Sequence, residues 1–314
     1  MRQPSGMSFK TCYAAMFHYV RPSYEGTGIR GLTVSEFRDL LNGIRLRFEF
    51  INPSNLFRVT RKSIEYKETH PSVLLTFDDG LRDHYEFVAP ILEEYDIRGL
   101  FFVNSQQYQL GCSLLIHRWH AIRERIPHLV DNQVFKKLVE SLDTKNFDIR
   151  SAIRWDDGAM ANFKYCFNYR MSEKEQTFVV TTLESEFGLN PPAVEKIYMT
   201  PTEISDLVRR GHLVASHSHA HSCLARLTES ELRHDLNQSF DFITSVGGDR
   251  RVFAYPFGKS ESFSTEVMDV ISSVGVQVAF SSVPPSTTQG TSPLSIPRLD
   301  PRDLAMELDL QVLR

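Results

Sequence analysis

Asp78 and Asp79 are neighbouring carboxylates directly after the apolar run 72–77, and His217 and His221 sit four positions apart in the His-rich stretch 216–222. Two imidazoles at i and i+4 bind one ion from one face, as they do in metalloproteases. Two imidazoles plus one carboxylate leave a coordination position open, which marks a catalytic rather than a structural zinc site. A divalent ion held there lowers the pKa of bound water toward about 7 and polarises a carbonyl oxygen. Neighbouring residues at a strand end point opposite ways, so the two aspartates are expected to divide the work, one turned to a metal and the other to a reacting water. Each segment has a plainer reading by itself. Asp79-Gly80 is a common turn, Asp78 could cap the next helix, and a His-rich stretch could be a solvated loop.

The elements that must carry these residues form an alternation of short apolar runs and helical patterns. Strands are expected at 72–77, 99–103, 212–216, 252–255 and 276–280, with a further strand-like run at 14–20. Helices are expected after Gly80 on Tyr85, Val88, Ile91, Leu92 and Tyr95, and at 203–210, 229–245 and 263–273, the second of these ending at Gly211 and the third at Gly247-Gly248. The stretch from about 105 to 200 carries helical periodicity and no strand, and reads as a helical insertion. Strand, helix, strand units imply parallel pairing, hence an α/β sheet or barrel whose ligands gather at the carboxyl ends of the strands. Asp78-Asp79, His217 to His221, Tyr255-Pro256-Phe257-Gly258 and His18 all fall at such ends. The loop 281–295 is the one markedly turn-like stretch.

Composition supports an ordinary globular chain. The 314 residues are 41% hydrophobic and 24% charged, with a net charge of −4, and the 35 Lys and Arg against 39 Asp and Glu create no global field favouring nucleic acid. No uninterrupted apolar stretch reaches the roughly 18 residues of a membrane span. Residues 1–10 lack the apolar run of a secretory signal, so the expected location is cytoplasmic. The cysteines Cys12, Cys112, Cys166 and Cys223 form no paired spacing and are expected to be reduced and mostly buried. Because the candidate ligands flank the insertion and must meet at one site, residues 1–314 read as one catalytic domain.

Three segments carry a family resemblance. Thr76-Phe77-Asp78-Asp79-Gly80, Ser216-His217-Ser218-His219-Ala220-His221 and Phe253-Ala254-Tyr255-Pro256-Phe257-Gly258 resemble the first three motifs of the polysaccharide deacetylases, the NodB-homology or carbohydrate esterase family 4 enzymes. The resemblance covers residues 72–104 and 200–283. It implies a distorted (β/α) barrel and removal of acetyl groups from N-acetylated sugars with a divalent metal, most often Zn2+, with Mn2+, Co2+ or Ni2+ as alternatives. It also implies that Asp79, His217 and His221 hold the metal and that Asp78 is the general base. The Tyr255-Pro256-Phe257 turn would serve substrate and oxyanion, with the backbone N–H matching Phe257 as donor, since Pro256 has none to give.

Two departures follow from the same comparison. The family's Leu-x-His segment near the C-terminus, which supplies the general acid, has no counterpart, because no histidine follows His234. Met16-Phe17-His18 has the same form, and a subset similar to the biofilm poly-N-acetylglucosamine deacetylases is circularly permuted so that this strand comes first. His18 is therefore nominated as the acid, against a buried structural histidine as the plainer reading. The arginine that usually begins the third motif is replaced by Ala254, and Arg298 could supply it from another strand end. The Asp-x-x-Asp-Trp-like fourth motif is not evident.

His117, Trp119 and His120 could stack on a sugar at the rim or cap a small core, and Trp155-Asp156-Asp157-Gly158 reads as a turn. The expected function is a metal-dependent deacetylase acting on an N-acetylated sugar, as a nucleotide-sugar or lipid-linked saccharide in surface polysaccharide assembly. A catalytically silent carbohydrate binder and an amidohydrolase or deformylase of another small amide are the alternatives. Retention of Asp78 beside Asp79 favours an enzyme. No nucleic acid and no integral membrane segment are expected, and the insertion would form a specificity lid or an oligomer interface.

Overall fold

The computed structural model describes residues 12–23, 31–57, 71–141, 156, 158–283 and 292–307. Its centre is a parallel sheet. The strands are β1 (Cys12–Phe17), β4 (Glu49–Phe50), β5 (Ser72–Phe77), β6 (Leu100–Val103), β7 (Leu213–Ser216), β8 (Val252–Ala254), β9 (Val278–Ser281) and β10 (Ile296–Pro297); β2 (Val20–Arg21) and β3 (Leu32–Thr33) form a small parallel pair beside it. Neighbours run in the order β1-β5-β6-β7-β8-β9-β10, and β4 pairs with the start of β5. A parallel bridge between Ala15 and Leu299 joins the two ends, with Met16 N–H donating to Leu299 O (2.8 Å) and Leu299 N–H donating to Ala14 O (2.9 Å). The sheet is thereby nearly closed into a barrel with flanking helices. β5, an inner strand of this order, is buried over all six residues because one face lines the interior and the other meets the helices.

Strand alternation separates inside from outside. Ala14, Leu74, Leu100, Phe102, Ala215, Ala254 and Phe280, from β1, β5, β6, β7, β8 and β9, share one buried cluster, the barrel interior. Their neighbours Ala15, Leu75, Phe101, Val103 and Val214 pack outward with helical residues such as Phe37, Leu40, Leu92 and Leu207. The helices Pro201–Arg209 and Glu229–Ser245 begin with reciprocal caps, Thr200 with Glu203 and Thr228 with Glu231. The helix Val34–Arg45 is an addition to the sequence reading. Its capping box, Thr33 with Glu36, and its buried stripe Phe37, Leu40, Leu41 and Ile44 have the ordinary helical signature.

Some expected bounds shift. The run expected at 14–20 is two strands with His18 and Tyr19 between them, and β7 begins at Leu213 because the His212 N–H donates back to Leu207 O of the preceding helix (3.1 Å), whereas the Leu213 N–H donates to Gly99 O (3.1 Å). Within the expected insertion lie the helices Gln106–Leu110, Leu115–Arg125, Gln133–Glu140, Gly158–Tyr169, Glu173–Glu186 and Val194–Ile197. They enclose their own apolar cluster, including Trp119, Phe135, Phe163, Phe167 and Val180. The chain returns to the barrel at Tyr198, which bridges Leu81, and at Met199, whose N–H donates to Gly80 O (3.0 Å). Of the expected turn 155–158, Trp155 and Asp157 lie outside the described residues, Gly158 opens a helix, and Asp156 pairs with Arg123 and Lys164. Most of the loop 281–295 and all of residues 1–10 also lie outside. Cys166 and Cys223 are buried; Cys12 and Cys112 are exposed and in no disulfide, which corrects the expectation of burial for those two.

Candidate active site

The interior parity of each strand continues into the site. His18 follows Ala14 and Met16, Asp78 follows Leu74 and Thr76, His217 follows Ala215, and Arg298 follows Ile296, so all four side chains project over the top of the interior cluster. The pairing of Phe17 with Phe77, and the hydrogen bond from Asp78 N–H to Phe17 O (2.9 Å), put His18 and Asp78 level on adjacent strands.

Asp79 would point outward if the strand continued, but its backbone has φ 78°. That left-handed turn brings its carboxylate to the same place as Asp78, which corrects the expectation that the neighbouring aspartates face opposite ways. Few non-glycine residues accept such a turn, Asp and Asn most readily, at a cost of about 1 kcal/mol. Gly80 continues it at φ 63°, and a Cβ there would lie 2.9 Å from Val103 Cγ1.

The histidines also meet differently from the sequence expectation. Residues 217–221 are not helical; Ser218 (φ 66°) and His221 (φ 56°) are left-handed. Local hydrogen bonds hold this loop where a helix would otherwise satisfy its backbone. Asp235 accepts from His219 N–H (2.9 Å) and Ala220 N–H (3.0 Å), Ser218 Oγ accepts from His221 N–H (3.0 Å), and the Asn104 amide donates to His217 O. Burial raises the Asp235 carboxyl to about 6, against the lowering effect of those two backbone donors.

Asp79, His217 and His221 each offer a buried ligand atom, and these atoms lie within 4.8 Å of one another. Asp79 Oδ1 is 3.6 Å from His217 Nε2 and 3.4 Å from His221 Nε2, and it has no hydrogen-bond partner. His217 Nδ1–H donates to Ala254 O (2.8 Å), which fixes the tautomer and leaves Nε2 with its lone pair toward Asp79. Burial lowers the pKa of both rings, that of His221 to about 3, so they are neutral. An orphaned carboxylate oxygen facing two neutral imidazole nitrogens lacks a proton to share and suits a divalent cation.

Asp78 is held separately. Arg298 Nη1 and Nη2 donate to Asp78 Oδ1 (2.6 Å) and Oδ2 (2.8 Å), and Nη1 also donates to Thr76 Oγ1 (3.1 Å), which in turn donates to Ala15 O (2.7 Å). The guanidinium carbon lies 5.4 Å from the centre of the Phe102 ring. Burial opposes ionisation of Asp78, but the charge of the Arg298 guanidinium and its hydrogen bonds outweigh that and lower the Asp78 pKa. His18 Nε2 is 3.8 Å from Asp78 Oδ2, and its side chain is 40% exposed, so His18 faces solvent rather than a core. The ring of His84, buried beneath, donates from Nε2 to His18 O (2.8 Å).

The Tyr255-Pro256-Phe257 segment contributes unequally. Phe257 has φ 61°, and its ring packs edge-on against His221, with centroids 4.7 Å apart. Tyr255 instead shares the outward parity of Phe253. Its ring stacks on Phe263 and its hydroxyl donates to Leu294 O (2.9 Å), so its side chain is in the helix-facing core.

Trp119 is fully buried in the insertion, which excludes sugar stacking, and His120 Nδ1 pairs with Tyr19 Oη (3.1 Å). His117 reaches Asp79, with Nε2 3.2 Å from Oδ2. Asp235 is a site support absent from the sequence reading, which named Thr76 in a motif without giving it a supporting role; Asp235 shows a signal there, since it falls on the buried stripe with Leu232, Leu236 and Ser239.

The fold is similar to that of several solved proteins. They include the Streptococcus pyogenes deacetylase PplD in complex with acetate, at 13% identity over 94% of this chain and 97% of that chain with a TM-score of 0.58. IcaB from Ammonifex degensii is 16% identical over 95% and 97% with a TM-score of 0.58, and the BpsB deacetylase domain from Bordetella bronchiseptica 15% over 92% and 95% with a TM-score of 0.54. No curated protein matches the chain. The family described as polysaccharide deacetylase matches residues 65–140 and 150–279, well over half of the sequence and inclusive of both aspartates and both site histidines. With that match spanning the barrel strands that carry Asp78, Asp79, His217 and His221, the chain belongs to the polysaccharide deacetylase family, hydrolases of carbon–nitrogen bonds other than peptide bonds.

Proposed function

We propose that the protein is a metal-dependent deacetylase that hydrolyses the acetamide of an N-acetylated sugar, carried as a nucleotide-sugar or lipid-linked saccharide. The observation that carries this reading is the second carboxylate. Asp78 lies beside the Asp79, His217 and His221 group and is oriented by Arg298, an arrangement that ligand binding alone does not require. Asp79, His217 and His221 would hold the cation, and one carboxylate oxygen with two imidazole nitrogens suits Zn2+. When bound, the cation supplies Lewis acidity and lowers the pKa of water.

The remaining chemistry belongs to the chain. Asp78, ionised at neutral pH, takes a proton from the water that attacks the acetyl carbon, and Arg298 fixes which lone pairs face that water. The backbone N–H of Phe257 stabilises the negative charge that develops on the acetyl oxygen. As the carbon–nitrogen bond breaks, His18 delivers a proton to the departing amine, giving acetate and a free amino sugar. His18 precedes Asp78 in the chain and reaches it through β1, a permuted order for the acid-bearing strand. Among the described residues no helix is long and apolar enough to cross a membrane.

The test is acetate release from a panel of free, nucleotide-linked and lipid-linked N-acetylated sugars, with and without chelator. Activity is expected to disappear with chelator, to return with Zn2+, and to fall by about 100-fold or more in Asp78→Asn with cation binding retained. Tight cation binding with no acetate or amine from any donor would instead favour a carbohydrate binder.

A further inference from the structure

Asp79 divides its two oxygens. Oδ1 faces His217 and His221, whereas Oδ2 is engaged by His117, a residue of the helix Leu115–Arg125 in the expected insertion. We propose that His117, backed by Tyr198, is a positioning residue that holds Asp79 in the orientation that presents Oδ1 to a cation; this inference rests on the metal-site reading above.

Hydrogen-bond accounting gives the relay a direction. Leu114 N–H can only donate, and it donates to Tyr198 Oη (3.1 Å). Tyr198 Oη lies 2.6 Å from His117 Nδ1, so the hydroxyl proton goes to Nδ1, and the ring proton sits on Nε2, where it is donated to Asp79 Oδ2. The reverse tautomer would set a lone pair against a carboxylate and leave the tyrosine proton without an acceptor. His117 and Tyr198 are buried, so water does not compete for these bonds.

The support is needed because of how Asp79 is placed. Its left-handed backbone takes it off the strand, and, unlike Asp78, whose two oxygens are both held by Arg298, it has a hydrogen-bond partner on Oδ2 alone. The relay is anchored at both ends of the inserted chain. Leu114 and His117 lie near its start, Tyr198 at its finish, and the Leu81–Tyr198 bridge and the Met199 to Gly80 hydrogen bond fasten that finish to the turn carrying Asp79. Removing a partner that orients a metal ligand characteristically weakens metal binding about 10- to 100-fold.

The experiment titrates the full-length protein with Co2+, followed by its visible absorption, and with Zn2+ against a chelating dye. His117→Ala is expected to bind both ions 10- to 100-fold more weakly than wild type, with an altered Co2+ spectrum. His117→Gln, which keeps a donor at similar reach, is expected to recover a substantial part of the affinity, and Tyr198→Phe to weaken binding several-fold. Urea unfolding of the metal-free proteins reports whether each variant is folded. A folded His117→Ala with wild-type affinity and spectrum would overturn the relay while leaving the metal site standing. Should His117→Ala fail to fold, wild-type binding by Tyr198→Phe would overturn it equally. Wild-type protein that binds neither ion would remove the metal-site reading itself, and the relay with it.

Discussion

Replacing Arg298 by methionine leaves a buried carboxylate without its bidentate partner. The side chains of Arg298 and Asp78 are 1% and 2% exposed, and the donor distances are 2.6 and 2.8 Å. Removing one partner of such a pair costs about 3–5 kcal/mol, because the remaining charge keeps its desolvation penalty, against a total stability of about 5–15 kcal/mol. The pH dependence has a definite sign. In the wild type the Asp78 pKa lies below its ordinary value of 3.8, so its favourable contribution is present above that value and lost as pH falls through the depressed one. In Arg298→Met, burial, the largest influence, loses its main opponent, and the pKa rises. The variant is then relatively stable in acid and loses stability as pH increases through the raised pKa. Urea unfolding at pH 5 and pH 8 should therefore show the larger deficit at pH 8, and the acid limb of the acetate-release profile should move to higher pH, with kcat affected more than KM. The double variant Arg298→Met with Asp78→Asn should recover part of the loss, a coupling of about 2 kcal/mol. Unfolding free energies within about 0.5 kcal/mol of wild type at both pH values, the range of ordinary surface substitutions, together with an unmoved acid limb, would refute the reasoning.

Three further outcomes are expected. Burial lowers His84 to about 4 from an ordinary 6.5, so it removes about 3 kcal/mol of stability as pH falls between those values; His84→Gln should flatten that part of the stability curve, and parallel curves would contradict the assignment. Tyr255→Phe should cost about 1 kcal/mol through the lost bond to Leu294 O and leave acetate release unchanged, and a large fall in kcat at unchanged stability would return Tyr255 to the site. Gly80→Ala, with φ 63° and a Cβ 2.9 Å from Val103 Cγ1, should lose about 1–3 kcal/mol in thermal or urea unfolding, and wild-type stability would show that Val103 shifts freely.

The alternation of apolar runs with helical patterns made the parallel α/β architecture legible, because buried parallel strands and their crossover helices have separate periodicities. It located Asp78, Asp79, His217 and His221 at strand ends, since each directly follows or lies just beyond such a run. Two-residue parity, applied further, reveals that His18 and Arg298 continue the interior faces of β1 and β10 and that Tyr255 shares the outward face of Phe253. Brief β4 and β10 escape such reading because a strand of two residues has no period, and their place is set by pairing with β5 and β9.

Other features have causes that are distant in the chain. The left-handed backbone of Asp79, Ser218 and His221 is maintained by packing and by partners such as Asp235, not by local propensity, so a helical i, i+4 rule misjudged how the histidines meet. Arg298 lies 220 positions from Asp78 and becomes its partner only because the Ala15–Leu299 bridge draws β10 to β1. His117 reached Asp79 the same way, when Tyr198 returned the inserted chain to the Gly80 turn. Sequence alone determined which chemical groups this protein owns and which strand ends bear most of them. Tertiary structure decided which of them face one another, because barrel closure and the insertion's return fix distances that no local period encodes.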